Sequence, residues 1–146
     1  MDINAALNEV LVKVMKNISS IEEQAISTGE YKNVTPNDIH VIEAIGLVSA
    51  KNMTSVAKAL SVTTGTLTIA VNSLVKKGFV ERVRSEEDRR VVLVSLSPKG
   101  RNAFEHHKKF HEELVKGIVS QLSQDEKLVL EKALSSVNKY LKEIQK

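Results

Sequence analysis

Cysteine is absent from all 146 residues, which excludes a disulfide framework, a thiol nucleophile, a cysteine-ligated zinc site and a thiol redox switch. Proline and glycine are scarce, at two and six residues. With 42% hydrophobic and 27% charged residues, the composition is that of a helix-rich globular chain rather than a disordered one. No apolar run reaches the roughly 18 residues of a membrane span. The N-terminus opens on Asp2 and Asn4 where a secretory signal would carry basic residues and then an apolar core. The expected location is therefore cytoplasmic, with no membrane partner. A Gly-rich phosphate loop, a serine elbow and an HExxH pair are also missing, so no enzyme, catalytic residue or cofactor is expected. Repeats and linkers are lacking too, and the length suits a single domain with its own core.

What charge there is lies unevenly. The formal net charge is +3, but residues 76–101 hold eight Lys or Arg against four acids, a local net of +4 that leaves −1 for the remainder. A basic element on a near-neutral body is the electrostatic footprint of phosphate binding, and equally of a solvated hairpin.

From about Asp2 to Thr28, Leu7, Leu11, Val14, Ile18, Ile21 and Ala25 are spaced 4, 3, 4, 3, 4. That is a narrow heptad seam suited to helix-on-helix packing. Gly29 is placed to end this helix in a left-handed cap. Thr35 and Pro36 open a second helix as N-cap and first residue, with Asp38 in its first turn and Gly46 near its end. Thr54 or Ser55 is expected to cap a third, short helix. Ser61 and Val62 make a tight turn with Val62 inward, and a fourth helix runs from Thr63 or Thr64 to Lys77, closed by Gly78. Residues 79–84 and 91–96 alternate as two strands around a charged tip, too short to stand alone, so they form a wing against the helices. Ser97 and Pro98 start a fifth helix, to about Leu122. Ser123 and Glu126 form the capping box of a sixth, whose Leu130, Leu134, Val137, Leu141 and Ile144 repeat the heptad spacing. Two such seams exceed what one small core needs and predict a homodimer.

The fourth helix carries the informative face. Leu67, Ala70, Val71 and Leu74 fall on one side at 100° per residue; Gly65, Ile69, Asn72 and Lys76 fall opposite, flanked by Thr66, Thr68 and Ser73. A solvated helix face is ordinarily filled with Glu, Lys, Gln and Arg. Short hydroxyl, amide and methyl side chains instead let a helix lie deep in a major groove, where Asn72 has the amide to read an adenine. Gly65 permits close backbone approach to a phosphate at the helix start. On the wing, Arg84, Arg89 and Arg90 can enter a minor groove. Asp88, two residues before Arg90, either holds that guanidinium or simply forms the turn.

This architecture, mainly α, a winged helix-turn-helix with a two-stranded β-wing between N- and C-terminal dimerisation helices, resembles the MarR family of bacterial transcriptional regulators. The wing signature matches at Asp88, Arg90, Leu96, Ser97 and Gly100. The resemblance implies one domain, with residues 1–34 and about 101–146 as dimerisation helices and about 35–100 as the DNA-binding part. It places double-stranded DNA with a palindromic operator against Thr63, Thr64, Gly65, Thr66, Thr68, Ile69, Asn72, Lys76, Arg84, Asp88, Arg89 and Arg90. Residues 40–46, 62–78, 81–92 and 107–111 further resemble FabT-type repressors. That likeness implies control of fatty-acid biosynthesis genes on the bacterial nucleoid, with long-chain acyl-acyl carrier protein as co-repressor.

Four histidines remain, at 40, 106, 107 and 111. His107 and His111 stand at i, i+4, a spacing able to share a metal, and Glu43, Glu105 and His40 could join them if the second and fifth helices meet. His40, His107 and His111 are expected to be structural or to line an effector pocket, or with Glu43 to hold a zinc ion in a metal-responsive regulator.

Overall fold

The computed structural model describes residues 2–27, 31 and 33–145. Gly29, with its expected helix cap, lies outside them. The chain divides into two compact units, Met1–Lys108 and Lys109–Lys146. Among the described residues no helix is long and apolar enough to cross a membrane.

The first unit begins with α1 (Ile3–Glu9) and α2 (Met15–Ser27), joined by a π-helical turn over Val10–Val14 where one unbroken helix was expected. Val10, Val12 and Val14 line that turn with β-branched side chains, which lose rotamer freedom in an α-helix. Leu7, Leu11, Val14 and Ile21 of the expected seam remain exposed. α3 (Pro36–Ile45) starts as expected: Thr35 Oγ1 accepts from Asp38 N at 3.1 Å, and Asp38 Oδ2 accepts from Thr35 N at 3.0 Å. α4 (Met53–Leu60) is capped by Asn52, whose Oδ1 takes the Ser55 N–H at 2.7 Å, and not by Thr54 or Ser55. Asn52 wins because β1 (Lys51–Asn52) holds it extended against β3 (Val92–Leu96), with Lys51 opposite Val94. β3 also pairs with β2 (Val80–Arg84), Val80 opposite Leu96, giving an antiparallel sheet of order β1-β3-β2. The wing hairpin is therefore extended by a third strand.

Both ends of the helix-turn-helix close with a Schellman motif, in which crossed backbone bonds consume the last carbonyls of a helix. At the turn, Ser61 sits at φ 56°, Ser61 N bonds Lys58 O at 3.1 Å, and Val62 N bonds Ala57 O at 3.0 Å. Only the Val62 N–H turns inward; its side chain is 40% exposed, contrary to expectation. After α5 (Thr64–Lys77), Gly78 sits at φ 87° and Phe79 N reaches Leu74 O at 2.9 Å. Phe79 is thereby swung into the core with Ile42, Ile45, Val56, Leu67, Val71, Leu74 and Val94, none more than 1% exposed.

α6 (Pro98–Val119) is tied to the end of α5 through Ser97. Its Oγ donates to Gly78 O at 2.6 Å and accepts from Gly100 N at 3.0 Å, while its N–H bonds Phe79 O at 3.0 Å. Ser97→Ala leaves the buried Gly100 N–H without its acceptor and is expected to lower the unfolding free energy by about 2 kcal/mol, whereas Ser97→Thr retains most of it. Denaturant midpoints at constant m-value read the difference.

The second unit contains the end of α6 and all of α7 (Gln124–Ile144). Ser123 and Glu126 form the expected capping box, with bonds of 2.9 and 3.2 Å. No residue of α7 is buried, and Leu130, Leu134, Val137, Leu141 and Ile144 are all exposed.

Candidate nucleic-acid interface

α5 divides as its sequence requires. Leu67, Val71 and Leu74 are buried in the core, and Gly65, Ile69, Asn72 and Lys76 are exposed on the far side. Thr63 is the N-cap: its Oγ1 accepts from Thr66 N at 3.2 Å and donates to Thr66 Oγ1 at 3.0 Å. Thr68 Oγ1 donates to Thr64 O at 2.7 Å. With their hydroxyls engaged in these bonds, Thr63 and Thr68 are restrained on the exposed part of the helix start.

Two residues on this face have no internal reason for their identity. Ile69 is 74% exposed in mid-helix. Gly65 has an ordinary helical φ, and an added Cβ there would meet nothing nearer than Thr63 Oγ1 at 3.9 Å. The fold would accept alanine, a better helix former, so packing among the described residues does not call for glycine here. Gly65→Ala is accordingly expected to leave stability unchanged or raise it by up to about 1 kcal/mol, while weakening DNA binding several-fold. Paired melting and fluorescence-anisotropy measurements check this, and undiminished DNA affinity would remove Gly65 from the interface.

The far end of α5 is anchored by charge. Lys77 Nζ lies 2.8 Å from Asp38 Oδ2, joining the last turn of α5 to the first turn of α3. Asp38 is buried, and its carboxylate is satisfied twice, by the Thr35 N–H and by Lys77. Lys99 Nζ donates to Lys77 O at 3.1 Å and lies 4.4 Å from the Phe79 ring centroid, adding a cation at the negative end of α5. Lys76 is left exposed to solvent.

On the wing, Arg82, Arg84, Arg89 and Arg90 are exposed. Arg90 is clasped by Asp88 in the fork geometry of a bidentate pair: Nε to Oδ1 and Nη2 to Oδ2, both 3.1 Å. The Arg90 N–H also donates to Oδ1 at 3.1 Å. The Arg90 guanidinium first, and then this backbone N–H, hold the Asp88 carboxyl below its usual range. Arg84 is occupied differently, with Nη1 donating to Arg89 O at 2.9 Å and stiffening the tip. On the base of the wing, Arg82 Nη2 donates to Asn72 Oδ1 across from β2 to α5. Nothing in the spacing of the two residues marks that bond, because an arginine ten residues on points to no one partner.

His40 is exposed and lines a hollow of about 110 Å³ with Asn37, Leu60, Val62, Thr66 and Ala70, beside the helix-turn-helix. His107 is buried on α6, its Nε2 2.8 Å from Glu43 Oε1 and 3.2 Å from Glu22 Oε1. Glu43 and His107 thus meet as the helix pairing required; Glu22 of α2 was missed, and His40 faces another neighbour. His111 belongs to the second unit, where its ring centroid lies 5.5 Å from that of Phe110 and it borders a shallow apolar groove with Val115 and Val119.

Residues 24–107 match the family model described as transcriptional regulator SarA/Rot. The chain is 30% identical over 106 residues to the multiple antibiotic resistance protein MarR of Salmonella typhimurium, covering 72% of this chain and 74% of that protein. It is 29% identical over 121 residues to the HTH-type transcriptional regulator YwhA of Bacillus subtilis, covering 83% and 84%. Among solved structures, Streptococcus pneumoniae FabT in complex with DNA superposes with a TM-score of 0.91 at 36% identity, covering 97% of this chain and 99% of that one.

Proposed function

The chain belongs to the MarR-type winged-helix transcriptional regulators, which bind DNA, and from that premise we propose that it is a repressor of fatty-acid biosynthesis genes. It acts in the bacterial cytoplasm as a homodimer on a palindromic operator, with long-chain acyl-acyl carrier protein as co-repressor. The observation that carries this reading is the full-length likeness to DNA-bound FabT, joined to a helix face whose Gly65 and Ile69 the fold itself does not require. The exposed apolar rows of α1, α2 and α7 supply the surface for a second copy.

In this reading two α5 helices enter successive major grooves about one helical turn apart, with Thr63, Thr64, Gly65, Thr66, Thr68, Ile69, Asn72 and Lys76 facing the DNA. The wings carry Arg84, Asp88, Arg89 and Arg90 to the flanking minor grooves. The co-repressor acts by binding more tightly to the arrangement in which both heads fit the operator, and it regulates only to the extent of that difference. A mobility-shift titration on a fatty-acid synthesis promoter, with and without carrier protein loaded with a long acyl chain, tests this. Tightening by the loaded carrier is expected; an unaltered shift would remove acyl control while leaving DNA repression in place.

A second reading, metal-responsive repression, is favoured by one cluster. His107 and His111 stand one turn apart on one helix, and the Glu22 carboxylate lies 3.2 Å from His107 Nε2, donor types that suit zinc in kind. Zinc-dependent operator binding reversed by a chelator would select it over the acyl reading.

A further inference from the structure

We propose that Arg82, held by Asn72, reads a guanine in each half-site of the operator, and that Asn72 acts by positioning it. This rests on the DNA-reading function proposed above and specifies one letter of the sequence read. Asn72 lies in the middle of the outward row Gly65, Ile69, Asn72, Lys76 of α5. Arg82 stands at the centre of β2, opposite Val94 of β3 and away from the wing tip. Its side chain reaches from the sheet to that row and donates from Nη2 to Asn72 Oδ1. The amide orientation follows from chemistry, since a guanidinium has only donors and the reversed amide would set NH2 against NH2.

The bond changes what Asn72 offers. Reading an adenine bidentately takes both the amide oxygen, as acceptor for N6–H, and the amide nitrogen, as donor to N7. Here one of the two lone pairs of the oxygen is engaged by Arg82, so the pair offers mainly donors. Arg82 keeps the rest of its donor fork, and guanine alone places two acceptors, N7 and O6, side by side in the major groove. Cytosine presents an amino donor at the corresponding edge and is repelled. A phosphate is the other acceptor available to an arginine. The helix N-terminus and the wing tip, where phosphates and the minor groove are approached, are set apart from the Asn72–Arg82 pair, which sits mid-helix and mid-strand.

Selection of binding sites from a randomised duplex pool tests the assignment, using the purified full-length protein and its Arg82→Ala, Arg82→Lys and Asn72→Ala variants. Both residues are exposed, so the variants retain the fold. The wild-type pool is expected to hold a guanine at one fixed place per half-site. Arg82→Ala should lose that preference by roughly tenfold or more, the size of one bidentate base contact, with the other positions kept. Arg82→Lys should lose most of it despite keeping the charge. Asn72→Ala should weaken the same letter, and the double variant should be no worse than Arg82→Ala alone. The proposal is overturned if Arg82→Ala keeps the guanine and weakens all sequences alike with a salt slope lower by about one, the behaviour of a phosphate contact. Loss of an adenine instead of the guanine in Asn72→Ala also overturns it. A wild-type pool with no enriched sequence would overturn the operator reading itself.

Discussion

Replacing Gly100 by alanine is expected to lower the unfolding free energy by about 3 kcal/mol, with a loss of roughly 10 °C in melting temperature. A Cβ at this position would lie 2.0 Å from the Phe79 carbonyl oxygen, 3.0 Å from its carbon and 3.3 Å from Leu96 Cβ. The obstacle is backbone, and that oxygen is already engaged by Ser97 N at 3.0 Å. Relief therefore requires the first turn of α6 to move away from Phe79, which opens the Ser97 bonds to Gly78 and Gly100 together. The damage should reach DNA binding, because the same knot fixes the end of α5. Gly65→Ala is the internal control: a glycine in the same unit with open space around it. A Gly100→Ala melting temperature within a degree of the wild type would contradict the close approach of α6 to Phe79.

The second large effect is expected at the wing. Arg90→Ala should weaken operator binding tenfold or more and lower the slope of log affinity against log salt by about one, because a single charge that displaces counterions is lost. Asp88→Ala should weaken binding less, since the guanidinium remains but its two 3.1 Å restraints and its preset direction are gone. The sign of the pH effect follows from the lowered Asp88 pKa. A carboxyl whose folded pKa lies below its unfolded value, about 3.9, contributes in full above that unfolded value. The contribution is lost only as pH falls through the lower folded pKa. Between pH 5 and 8 the clasp is therefore constant, and any pH dependence of binding in that window comes from other groups. Unchanged affinity and salt slope in Arg90→Ala would take the wing tip out of the interface.

How much of this was legible depends on the distance over which each feature is decided. The Thr35 cap, the Ser123 capping box and the Gly78 terminus are set by residues three or four positions apart, and all stand where the sequence placed them. The outward row of α5 was legible for the same reason, since helical periodicity alone fixes which residues oppose Leu67, Val71 and Leu74. Asn52 was passed over as the α4 cap because its extended backbone comes from pairing with β3, some forty residues on, and a two-residue strand has no alternation to read. Val62 was assigned inward on its hydrophobicity, while the turn needed only its N–H. The Lys77–Asp38, Arg82–Asn72 and Glu22–His107 contacts join separate elements, and their residue types would suit solvent equally well. The π-helical turn at Val10–Val14 shows the converse: the β-branched valines were visible, but the heptad spacing around them favoured a regular helix.

We expect α5 and the wing to form one half of a paired, sequence-reading head. Hydroxyl-radical footprinting of the purified protein on its selected operator tests this most directly. Two central windows of protection related by a two-fold axis are expected, with centres about 10–10.5 base pairs apart, flanked by outer windows under the wings, and Arg90→Ala should lose the outer windows alone. Uniform protection along the duplex, or a single unpaired window, would contradict it.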